Sequence, residues 1–77
     1  MNNVGIYDGD LVIVDRSINP KNSSTVIANV NEELVVKTFI KGKNSNYLAS
    51  GLNKIELSEN PNVIIWGVVT YVIHKLQ

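Results

Sequence analysis

Apolar residues in this chain come in short runs separated by polar, turn-forming stretches, and the runs are rich in β-branched residues. That is the pattern of strands rather than helices. Leu11-Val12-Ile13-Val14 follows a turn at Asp8-Gly9-Asp10, and a continuous run of this kind predicts a strand covered on both faces. The segment from Asp15 to Ser24 holds Pro20 and several turn formers and reads as a loop. Thr25 to Val30 predicts a second strand and Glu33 to Ile40 a third. Asn31-Glu32 between them points to a β-hairpin. Asn suits a tight primed turn, but Glu32 stands where glycine is usual, so the turn is expected to be longer or strained. Tyr47 to Ser50 and Ile55 to Leu57 predict two short strands, with the polar loop Lys41 to Asn46 ahead of them. No stretch has the periodicity of a convincing amphipathic helix. The expected fold class is mostly β: one small domain over 1–77, built of antiparallel strands and hairpins with little or no helix.

The longest apolar segment runs from Val63 to Leu76. Strict alternation places Val63, Ile65, Val69, Tyr71 and Ile73 on one face and Ile64, Trp66, Val68, Val72 and Leu76 on the other. Gly67 within it predicts a bulge or bend. A sheet with one wet face would show polar residues at alternate positions, and here both faces are apolar. One face can meet the core. The other is expected to be covered by a second copy of the chain, with Trp66, Val68, Thr70, Val72 and His74 at the interface.

Composition narrows the chemistry. A chain of 77 residues buries a modest core and gains from self-association. It has no cysteine and one histidine, which excludes a disulfide framework, a thiolate nucleophile and a multi-histidine zinc site. Asp8 and Asp10 flank a glycine but lack the ligand number of a calcium loop, so no metal and no cofactor are expected. Basic and acidic residues number 7 each, and a zero net charge argues against direct nucleic-acid binding. No apolar run is long enough to span a membrane, and the start has no secretory pattern, so the expected location is cytoplasmic.

One residue breaks the apolar pattern of the third strand. Val35, Lys37 and Phe39 share a face, with Leu34, Val36, Thr38 and Ile40 on the other. Lys37 therefore sits against apolar neighbours on either side of the sheet. Desolvation disfavours an ammonium ion, and a lysine that can be neutral near pH 7 can act as a general base. The competing reading is a stem laid along the strand with the amine reaching water. His74 is open to a pH-responsive role at an interface or a plain structural one, and Trp66 to an interface or a core position.

The residues in order resemble a known family. Gly5-Ile6 followed by Asp8-Gly9-Asp10-Leu11-Val12-Ile13-Val14-Asp15 resembles the opening of the peptidase domain shared by LexA-type repressors and the mutagenesis protein UmuD. Thr25-Val26-Ile27-Ala28 and Leu34-Val35-Val36-Lys37 are similar to the strand pair that follows it, and Trp66-Gly67-Val68-Val69-Thr70-Tyr71-Val72-Ile73 to the closing strand, most nearly in its UmuD form. The resemblance implies a β fold and a serine–lysine dyad that cuts the protein's own N-terminal arm, with Lys37 at the position of the general base. It also implies that the nucleophilic serine and the cleaved arm would lie ahead of Met1. Ser17, Ser23, Ser24, Ser45, Ser50 and Ser58 all fall in loops or at strand ends, outside the family's nucleophile motif.

The expected function is a UmuD-like domain of the DNA-damage (SOS) response. It is expected to be non-catalytic, homodimeric and, by resemblance, to contact a translesion DNA polymerase or other SOS proteins. Two alternatives stand beside it. One is a truncated serine–lysine self-cleaving peptidase whose serine lies just upstream. The other is the C-terminal dimerisation domain of a LexA-type or phage-type repressor.

Overall fold

A computed structural model describes residues 9–74. The Gly5-Ile6 element, Asp8 and Leu76 lie outside them. Six strands form a single antiparallel sheet: β1 (Leu11–Asp15), β2 (Thr25–Val30), β3 (Glu33–Lys41), β4 (Asn46–Ser50), β5 (Asn53–Glu56) and β6 (Ile64–Ile73). Among the described residues the only helical turn is a 3₁₀ segment over Leu57–Glu59, as the strand pattern predicts. The spatial order is β1-β6-β2-β3-β4-β5, so the first and last strands lie side by side and β2 sits between β6 and β3.

The core lies on one face of this sheet. Val26, Ala28, Phe39, Leu48 and Val68 are buried there, with Val30, Val35, Ile55, Leu57, Val63 and Ile65 packed around them. Register explains the set. Val26 lies opposite Lys37 and Val68, Ala28 opposite Val35 and Ile65, and Phe39 opposite Leu48. Side chains directly across from one another share a face, so the alternation read in β3 holds: Val35, Lys37 and Phe39 point inward.

The β2–β3 hairpin closes with two residues, not a longer loop. Asn31 (φ 52°) and Glu32 (φ 68°) are both left-handed, which is the geometry of a type I′ turn. Asn tolerates that region. Glu does not, and a non-glycine residue held there costs about 1–2 kcal/mol. The expectation of strain at Glu32 therefore holds, while the expectation of a longer turn gives way to the two-residue one.

β6 departs from strict alternation at two places. Ile65 pairs with Ala28 and Gly67 with Ile27, leaving Trp66 as an extra residue. Tyr71 pairs with Ile13 and Val69 with Val14, leaving Thr70 as a second one. A bulge shifts the inward–outward phase by one. Ile65 and Val68 consequently both face the core, although an odd spacing separates them. Gly67 is where the bend needs room. A Cβ at that position would collide with Val14 Cγ1 and lie 3.2 Å from Arg16 Cγ and 3.3 Å from the Asp15 carbonyl. Only a bare backbone lets β1 pack this closely.

Two substitutions test these constraints. Gly67→Ala is expected to force β1 away from β6 and to cost about 1–3 kcal/mol, the range for overpacking a tight site, in urea unfolding. Glu32→Gly is expected to raise stability by about 0.5–1 kcal/mol in the same measurement, because glycine removes the left-handed strain in a turn that already suits Asn-Gly.

Candidate functional site

The site begins at Lys37, in the middle of β3. It pairs with Val26, Val26 pairs with Val68, and Val68 pairs with Asp15. One row of side chains thus crosses four strands with an amine at one end and a carboxylate at the other. Val26 and Val68 between them are buried, and Lys37 itself is half-buried. The Asp15 carboxylate is already occupied. It accepts hydrogen bonds from the Ser17 hydroxyl (2.6 Å) and the Ser17 amide (2.8 Å), which hold it below the usual carboxylate range. No side-chain hydrogen bond or ion pair joins the Lys37 amine to any described residue.

No described serine supplies its hydroxyl to Lys37. Ser17 belongs to the Asp15 turn. The Ser23 amide donates to the Phe39 carbonyl (2.7 Å), and the Ser24 hydroxyl accepts from the Lys21 amide (2.9 Å). Ser45 and Ser58 converge on Glu56: their hydroxyls donate to Glu56 Oε2 at 2.9 Å and 2.7 Å and lie 3.2 Å from each other. Asn60 closes the same knot by donating from its side chain to the Glu56 carbonyl (2.7 Å). Among the described residues, then, the lysine of the expected dyad has no serine hydrogen-bonded to it.

The residues expected at the closing-strand interface do not form one face. Val68 is a core residue, 8% exposed, because the bulge at Trp66 turns it inward. Trp66 is partly exposed, and its ring lies 4.5 Å beneath the Arg16 guanidinium, whose Nε also donates to the Trp66 carbonyl (3.0 Å). The Thr70 hydroxyl donates to the Ile13 carbonyl (3.2 Å). Val72 is half-buried opposite Val12. His74 is exposed, with Nδ1 2.7 Å from Asp10 Oδ2, so Asp10 is a cross-strand partner as well as a turn residue.

What alternation did not foresee is a different apolar surface. Leu11 pairs with Ile73 and Ile13 with Tyr71, which puts four large side chains on one face of the β1–β6 arm. All four are exposed, Leu11 by 66% and Tyr71 by 67%. The signal was present in β1, where Leu11 and Ile13 alternate with Val12 and Val14. It became readable only once the pairing partner of β1 was known.

A Peptidase S24-like sequence profile matches residues 1–70. The chain belongs to that family. It is 34% identical over 78 residues to the protein ImpA of Salmonella typhimurium, covering all of this chain and 54% of that protein. It is 30% identical over 80 residues to the LexA repressor of Pasteurella multocida, covering 97% of this chain and 38% of the repressor. With the protein MucA of Escherichia coli it shares 32% identity over 73 residues, covering 86% of this chain and 47% of MucA. The family membership bears out the LexA/UmuD resemblance read from the sequence. The chain spans about half the length of ImpA and MucA and 38% of the LexA repressor. Among the described residues no helix is long and apolar enough to cross a membrane.

The Glu56 knot has a pH signature. Hydrogen bonds from Ser58 first and Ser45 second favour the carboxylate and lower its pKa, against a smaller opposing effect of burial. A carboxyl group with a lowered folded-state pKa contributes stability that is present above its unfolded value and is lost as pH falls through the folded one. The thermal midpoint is therefore expected to fall as pH drops from 5 into the acid range, and the fall is expected to be shallower in Glu56→Gln. Parallel melting curves for the two proteins across that range measure the difference.

Proposed function

We propose that this chain is a UmuD-like interaction domain of the DNA-damage response, working in the cytoplasm by self-association and protein contact rather than by peptide-bond cleavage. The observation that carries this reading is the exposed apolar quartet Leu11, Ile13, Tyr71 and Ile73 on the β1–β6 arm. Contiguous apolar surface of this kind marks interaction sites on small domains, and a second copy offers the same surface in return. Lys37 supports the non-catalytic half. It keeps the family's base position, and its neighbours in the sheet are apolar. No described serine is hydrogen-bonded to it, and a base of this kind needs a nucleophile for acyl transfer. By family resemblance the partners are a translesion DNA polymerase or other proteins of the same response.

A second reading is favoured by the family match together with Lys37 on the inner face. A serine–lysine self-cleaving peptidase would place its nucleophile in chain ahead of Met1. Genomic sequence before the Met1 codon separates the two: an in-frame Gly-Asp-Ser supports the peptidase, and a stop codon the interaction domain.

Sedimentation equilibrium at micromolar concentrations is expected to give a dimer, about twice the 8.5 kDa chain mass. Ile13→Asp or Ile73→Asp is expected to weaken association at least about tenfold, equivalent to ~1.4 kcal/mol, while leaving the fold intact because both side chains are exposed. A stable monomer at about 100 μM, a concentration at which a micromolar dimer would be populated, overturns the reading.

A further inference from the structure

A cleft of about 470 Å³ opens between the β2–β3 turn and the loop ahead of β6. Its lining is Asn29, Asn31, Glu32, Asn62 and Ile64. We propose that this cleft binds an extended peptide segment carrying a lysine or arginine beside an apolar residue. The proposal deepens the interaction-domain reading by naming the chemistry of a partner segment, and it does not depend on self-association.

Three observations carry it. The first is hydrogen bonding. Among the described residues, nothing bonds to the side-chain amides of Asn29, Asn31 or Asn62. A carboxamide has the donors and the acceptor of a peptide group. Three of them around one cleft can pair with the main chain of an extended segment whatever its sequence. The second is charge. Among the described residues, Glu32 is the only ionisable group in the lining, and no described lysine or arginine joins it. A carboxylate accepts strong hydrogen bonds from an ammonium or guanidinium group and repels a phosphate. One carboxylate falls short of the oxygen ligands a calcium ion takes. The third is the apolar flank. Asn29 pairs with Leu34 on one side and Ile64 on the other, and these two are 58% and 61% exposed. A segment lying along the amides presents alternate side chains to that row.

The strain at Glu32 points the same way. The turn holds a left-handed glutamate where glycine would relax it. Strained backbone clusters at functional positions, and here the strained residue lines the cleft.

The test is a titration of the ¹⁵N-labelled 77-residue chain, followed by amide shifts. One probe is a pool of capped heptapeptides with a fixed central lysine and randomised flanks. The other is the matched pool with a central glutamate. The lysine pool is expected to move the signals of Asn29, Asn31, Glu32, Asn62 and Ile64, side-chain amides included, with a midpoint below about 1 mM. The glutamate pool is expected to bind at least about fivefold more weakly, as expected for losing a charge-assisted contact. Glu32→Gln is expected to weaken the lysine pool by a similar factor. Glu32→Gly is expected to weaken it too while raising the thermal midpoint, which separates loss of binding from loss of fold. Should Glu32→Gln unfold the chain, Asn62→Ala in the loop provides the same comparison. Equal response to the two pools, shifts scattered outside the cleft, or no shift at several times that concentration overturns the proposal. So does calcium chloride alone reproducing the cleft shifts, which would make the site a cation site. A chain that stays monomeric yet binds the lysine pool overturns self-association and leaves the cleft standing. A dimer blind to both pools does the reverse.

Discussion

The close approach of β1 to β6 at Gly67 is the constraint on which the rest of the sheet depends. β1 can lie against β6 only where a side chain is missing, and Val14, Arg16 and the Asp15 carbonyl fill the space a Cβ would take. Next to that gap the chain inserts Trp66 as an extra residue. A bulged residue loses its regular ladder partner. Arg16 supplies a replacement from β1's far end, bonding the Trp66 carbonyl and lying over its ring. One side chain, Arg16, therefore both satisfies the irregular backbone and covers the exposed aromatic face. Moving the phase of β6 at this point is what turns Val68 into the core beside Val26.

Two surfaces with different chemistry follow one another along the sheet. Inward, the row from Lys37 through Val26 and Val68 to Asp15 is a dry strip capped by a charged group at each end. Farther along the same face of β1, Leu11 and Ile13 gather with Tyr71 and Ile73 on the arm, where the sheet runs past its core. A sheet of this length has more face than a small core can cover. The arm is the part left over, and its apolar character is why a protein partner is the natural occupant.

Few side chains are fully buried, so local polar knots matter more here than in a larger domain. The Ser45–Glu56–Ser58 group ties the entry of β4 to the end of β5 and the 3₁₀ turn. Asp15 and Ser17 do the same where β1 leaves the sheet. Each is built from residues that local pattern assigns to turns. In a chain with no disulfide, such carboxylate–hydroxyl contacts hold the loops that hydrophobic burial does not reach.

The strands and the two faces of β3 were legible in the sequence, because a period of two needs only neighbouring residues to define them; which face meets the core was decided by the pairing with β2 and β4. The strain at Glu32 was legible for a similar reason: its backbone preference is local and the turn is two residues long. The family was legible from three short motifs in order. The face of β6 was not, since whether a glycine marks a bend and which residue is extra are settled by the two strands on either side. Nor was the strand order, which joins Leu11 to Ile73 across nearly the whole chain. The apolar arm and the amide-lined cleft follow from that order. Local alternation determined which segments are extended and which residues share a face with Lys37; only packing of β1 and β2 against β6 decided which apolar residues stay in water, because a bulge forms where neighbouring strands demand it rather than where the pattern of its own strand breaks.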